Sequence, residues 1–99
     1  MSKNTFPPCE EMQKLREALT NFGVQWTDES NPDICTTWFK VGQKFWSVIN
    51  GRGTLGGFHE MSDPSKNFGL LELWDQRHAK GHEPKGYLTA NDVIARVGM

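Results

Sequence analysis

The stretch Lys44–Gly57, KFWSVINGRGTLGG, constrains this chain more than any other. Phe45, Trp46, Val48 and Ile49 read as a strong strand. The strand runs straight into a loop that carries Gly51, Gly53, Gly56 and Gly57 around one cation, Arg52. Whatever fold forms must cover this strand and accommodate that loop.

The strand has a natural partner upstream. Thr36–Val41 and Lys44–Asn50 flank Gly42-Gln43, and glycine at the first central position suits a type II′ hairpin. That turn sets Val41 opposite Lys44, Phe39 opposite Trp46 and Thr37 opposite Val48, an apolar face expected to be core. The other face pairs Lys40 with Phe45, Trp38 with Ser47 and Thr36 with Ile49. It mixes large and polar side chains, so it is either covered by another element, such as the helix, or left open as a binding platform.

Glu10–Phe22 reads as a helix. Met12, Leu15, Leu19 and Phe22 recur at spacings of three and four, and Gly23 suits a left-handed cap behind them. Gln13, Lys14, Arg16, Glu17 and Thr20 form the opposite face, expected to be solvated. Residues 1–9, with Pro7 and Pro8, read as a loosely held lead. Val24–Asp28 alternates as a short strand with an edge that can pair two copies in a homodimer. Glu29–Asp33 is a turn.

Beyond the loop, Phe58–Met61 reads as a short strand and Ser62–Asn67 as a turn. Phe68–Asp75 is a strand with apolar residues on both faces, as in the middle of a sheet. Gln76–Gly86 is a polar loop, and Tyr87-Leu88 adds a brief strand. Thr89–Asp92 resembles a capping box with Asp in place of Glu or Gln, opening a short helix that ends at Gly98. The expected fold is α+β in one domain: an N-terminal helix on a small antiparallel meander of four or five strands, with a short C-terminal helix.

At 99 residues the chain has a single core, built on four Trp and six Phe. Its net charge of −1, with no run of one sign, gives no basic stripe for general nucleic-acid binding. No apolar run approaches a membrane span, and the first residues lack the apolar core of a signal peptide. Cys9 and Cys35 form no CxxC and no disulfide framework, which fits two reduced thiols in a cytoplasmic protein.

Chemistry-bearing patterns are sparse. Gly51–Gly56 matches G-x-G-x-x-G, but Asp63-Pro64 follows where a dinucleotide fold needs a sustained helix, and no G-K-[ST] is present. Two readings of the loop stay open: a plain connection, or an amide nest that binds an anion with Arg52. His78 and His82 are four apart, but Gly81 and Pro84 argue against a helix that would bring them together on a metal. No nucleophile-base constellation stands out, and Glu60, Asp63, Glu72 and Asp75 read as solvated or salt-bridged. Trp38, Phe45, Trp46, Phe58, Phe68 and Trp74 read as core, with Trp38 and Trp74 the ones that share a face with charged residues.

The second half resembles a type of short accessory protein carried by phages and prophages. The resemblance rests on Phe45-Trp46-Ser47-Val48-Ile49-Asn50-Gly51, the glycines to Gly57, Gly69-Leu70-Leu71-Glu72-Leu73-Trp74 and Gly86-Tyr87-Leu88-Thr89-Ala90, about half the chain. It implies a protein that binds and blocks a host factor, such as a defence nuclease, or one that sequesters a nucleotide signal. The expectation is a non-enzymatic inhibitor without cofactor or metal. Its contact residues would be Trp38, Arg52, Gly53, Thr54, His59 and Trp74. The alternative is a binder of a phosphorylated nucleotide through Gly51–Gly57.

Overall fold

The computed structural model describes residues 5–58, 66–75 and 85–98. Its elements in chain order are α1 (Glu10–Asn21), β1 (Trp26–Asp28), β2 (Ile34–Val41), β3 (Lys44–Gly51), β4 (Leu71–Asp75), β5 (Lys85–Leu88) and α2 (Ala90–Val97). The strands form one five-stranded antiparallel sheet in the order β1-β2-β3-β4-β5. The α+β meander with a helix at each end is therefore the fold.

The β2–β3 register follows from the turn. Gly42 has φ 62° and Gln43 is not among the positive-φ residues, as a type II′ turn requires. Phe39 pairs with Trp46 and Thr37 with Val48, all four buried. α1 and α2 cover this face. Met12, Leu15 and Leu19 of α1 and Val93 and Val97 of α2 form one cluster with Phe39, Val48, Leu71 and Leu73. Burying each of the larger aliphatic side chains contributes about 1.5–3 kcal/mol. α2 opens with the capping box: Thr89 Oγ1 accepts from the Asp92 amide, and Asp92 accepts from that of Thr89.

Several expectations change. Phe22 is exposed, because α1 ends at Asn21 and Gly23 turns the chain at φ 77°. Arg16 is not solvated. Its Nε donates to Thr37 Oγ1 at 2.7 Å, its Nη2 donates to the Thr36 carbonyl at 3.2 Å, and its guanidinium lies 4.8 Å from the Trp26 ring centre. The lead is held from Phe6 on. The Phe6 amide donates to the Asn31 carbonyl at 2.8 Å, and its ring stacks on Phe58.

β4 begins at Leu71 rather than Phe68. The amides of Phe68 and Leu70 donate to the carbonyls of Gly57 and Gly56, so this segment follows the glycine loop before joining the sheet. Buried Asn50 holds it there, exchanging side-chain amide hydrogen bonds with Asn67 at 2.8 and 3.0 Å and donating to the Leu70 carbonyl. Phe58 forms only an isolated bridge with Arg52. His59, Glu60, Asp63, His78, His82 and most of the expected 76–86 loop lie outside the described residues.

Candidate functional site

Strand alternation places Trp38, Phe45, Ile49, Glu72 and Trp74 on the face away from both helices. The covering helix expected as one alternative is absent from this face among the described residues. Trp38 and Phe45 stack at 5.1 Å between ring centres, and the Lys40 ammonium sits 5.1 Å from the Phe45 ring. Ser47, small and buried, lies between Trp38 and Trp74 in the ladder.

The other end of this face is organised by Glu72. Its side chain is buried, which a carboxylate tolerates only with donors around it. The Leu55 amide donates to Oε1 at 2.5 Å, and the Trp74 indole N–H donates to Oε2. The solvated reading of Glu72 is thereby corrected. The glycine loop folds back over the sheet to deliver Leu55, and the Leu55 carbonyl accepts from the Tyr87 amide at 3.3 Å. Phe68 meets Tyr87 edge to face, with ring centres 6.4 Å apart.

Five large hydrophobic side chains among the described residues are exposed, and four of them gather here: Leu55, Phe68, Trp74 and Tyr87. Phe68 is 68% exposed and Tyr87 53%, so the core reading of Phe68 does not hold. Tyr87 also has φ 57°, a conformation that costs a non-glycine residue about 1–3 kcal/mol. The fold holds an aromatic ring in water at the expense of backbone strain.

The predicted contact residues divide. Trp38 and Trp74 share this face. Arg52 does not join them. It follows the end of β3, where its amide donates to the Asp33 carbonyl at 3.0 Å and its Nη1 pairs with Asp33 Oδ1 at 3.3 Å. Gly53 is exposed, but its amide donates to Phe58. Thr54 is buried, its hydroxyl bridging the amide and carbonyl of Gly51. His59 lies outside the described residues.

The loop glycines serve close approach. A Cβ at Gly57 would overlap the Gly51 carbonyl oxygen and Thr54 Oγ1. The amides of Arg52, Gly53, Thr54, Leu55, Gly57 and Phe58 all donate to acceptors within the protein. A nest for an external anion would need these donors facing outward. The carboxylates that the loop does bind among the described residues are the protein's own: Glu72 at the Leu55 amide and Asp33 at the Arg52 guanidinium.

Other reactive groups are quiet. Burial pushes both the Cys9 and Cys35 thiols above their ordinary range, which disfavours the nucleophilic thiolate. No group of three or more His, Cys, Asp or Glu side chains that could hold a metal occurs among the described residues. No helix there is long and apolar enough to cross a membrane.

Glu72, Leu55, Phe68 and Tyr87 were missed by pattern reading. An acidic residue inside the otherwise apolar Leu70–Trp74 run was the available signal for Glu72. Comparison with protein-family models, curated proteins and solved structures finds no match to this chain.

Proposed function

We propose that this chain is a non-enzymatic binding protein that docks another protein on the open face of its sheet. The observation that carries the reading is the gathering of Leu55, Phe68, Trp74 and Tyr87 in water, one of them on a strained backbone, on the face that also carries Trp38 and Phe45. Trp and Tyr are the residues that dominate interface energetics, and exposed apolar patches of this kind mark docking surfaces. The resemblance to phage accessory proteins makes a host protein the partner to test first, with inhibition of a defence nuclease as the form to assay.

The test is retention of host proteins on the immobilised chain, compared with Trp38→Ala and Tyr87→Asn. A stoichiometric partner kept by wild type and by Arg52→Ala, but lost with the two aromatic variants, is the expected result. Retention unchanged in both aromatic variants would remove the face from consideration. The alternative, a phosphorylated nucleotide held by Gly51–Gly57, calls for donors that the loop directs inward. A thermal shift of about 2.7 kcal/mol equivalent at 100 times the dissociation constant would restore it.

A further inference from the structure

The two edges of the sheet differ. At β5 the Tyr87 amide is already bonded to Leu55, and the register shifts between Leu71 and Leu73. β1 pairs only with β2, and no strand of the described residues pairs with its other side. The Glu29 amide donates to the Thr36 carbonyl at 3.0 Å, continuing the β1–β2 ladder. Alternation then makes Thr27 the inward-bonding residue and turns the backbone N–H and C=O groups of Trp26 and Asp28 outward. Two concavities flank this edge. One, of about 530 Å³, is lined by Thr27, Trp38, Lys40, Val41 and Phe45 among others. A smaller one is lined by Thr20, Gly23, Val24, Gln25 and Trp26.

We propose that β1 takes an extended segment of the partner protein as a sixth, antiparallel strand. The inference rests on the docking reading above and names the form of the partner's contact. Outward main-chain groups two residues apart specify an extended backbone, and the concavities take its alternating side chains. The residue opposite Thr27 lies next to Thr27, on the face that carries Trp38, and a large apolar side chain there can reach over Thr27 into the concavity that Trp38 and Phe45 line. Two positions along, opposite Gln25, a carboxylate lies one strand beyond Lys40, an exposed cation whose long side chain can turn from the Phe45 ring to meet it across Gln25. A second copy of this chain fits less well. Two-fold pairings centred on Trp26, Thr27 or Asp28 set Gln25, Thr27 or Glu29 of the second copy opposite Thr27, none of them the apolar side chain that suits the concavity.

The test uses an mRNA-displayed library of random twelve-residue peptides selected on the full chain. The expected products alternate apolar residues and carry one acid, and a synthesised hit shifts the amide resonances of Trp26–Asp28 and Trp38. N-methylation of the peptide amides that face β1 should weaken binding at least tenfold, and methylation of the alternate amides less than twofold. Lys40→Glu should weaken the acidic hit at least fivefold. Hits indifferent to N-methylation, hits that shift Phe68, Trp74 and Tyr87 instead, or a selection without hits would overturn the edge proposal. The second of these would leave the docking face standing, and the retention experiment judges that face separately. Shifts at β1 that track protein concentration alone would overturn it in favour of self-pairing.

Discussion

Arg16 and Glu72 are charges of opposite sign, one largely covered and one buried, on opposite faces of one sheet. Arg16 reaches from α1 down to β2 with its side chain 12% exposed, and Glu72 is 4% exposed beneath the glycine loop. Their surroundings differ in kind. Arg16 hands its hydrogens to acceptors that have other partners: Thr37 Oγ1 also donates to Met12 Sδ, and Asp28 is half exposed to water. Glu72 is the acceptor that its two donors share, the Leu55 amide and the Trp74 indole. One charge is attached to a structure that apolar packing already defines. The other is the acceptor that ties the Leu55 amide of the loop to the Trp74 indole of the sheet.

That difference orders the expected losses. Glu72→Ala leaves two donors without an acceptor, and unfolding in urea should show a loss of about 2–4 kcal/mol, with faster hydrogen exchange at the Leu55 amide. Arg16→Met keeps the stem and should cost about 1–2 kcal/mol, because its former partners turn to water or to one another. A larger loss for Arg16→Met than for Glu72→Ala would reverse the comparison and make the helix-side charge the organising one. Tyr87→Asn sharpens it from the functional side. Asn tolerates φ 57° better than Tyr, so stability should stay within about 1 kcal/mol of wild type, while partner affinity falls at least tenfold.

The smallest effect concerns pH. The Ser30 side chain, and then the Ser30 amide and Arg16, hold the Asp28 carboxyl below its ordinary 3.8. A depressed carboxyl stabilises the fold above its unfolded value, and that contribution is lost as pH falls through the folded one. Because Asp28 is exposed, Asp28→Asn should change stability only slightly at neutral pH. In acid titrations followed by tryptophan fluorescence, it should flatten the limb below about pH 4. An unchanged acid limb would detach Asp28 from the Arg16 network.

Local rules were legible in the sequence. Gly42-Gln43 fixed the register of eight paired positions, and Thr89–Asp92 gave the cap of α2. The stripe Met12, Leu15, Leu19 was readable for the same reason, since its spacing is the helix period. What escaped depends on distant partners. Arg16 meets Thr37, 21 residues away, and Glu72 meets Leu55, 17 away, so no window along the chain shows either burial. The glycines of 51–57 suggested a ligand because glycine lets anything come close. Here what comes close is the loop's own backbone and side chains. Phe68 carried a strand signal, but Asn50 and Asn67 hold its neighbourhood against the glycine loop, and its ring is left in water. Trp38 and Trp74 were distinguishable because strand parity alone puts them beside charged residues.

The Ala90 amide at the start of α2 donates to Glu11 Oε1 at 2.8 Å across 79 residues of chain. The first of the described helices thus completes the second, and both line the same core. On the ribosome this imposes an order of events. α1 is synthesised with its apolar stripe and then waits while residues 22–97 follow, roughly 4–15 s at about 5–20 residues per second. During that interval Met12, Leu15 and Leu19 have only part of their eventual cover, so the nascent chain passes through a period in which a chaperone, or another nascent chain, competes with its own unfinished end.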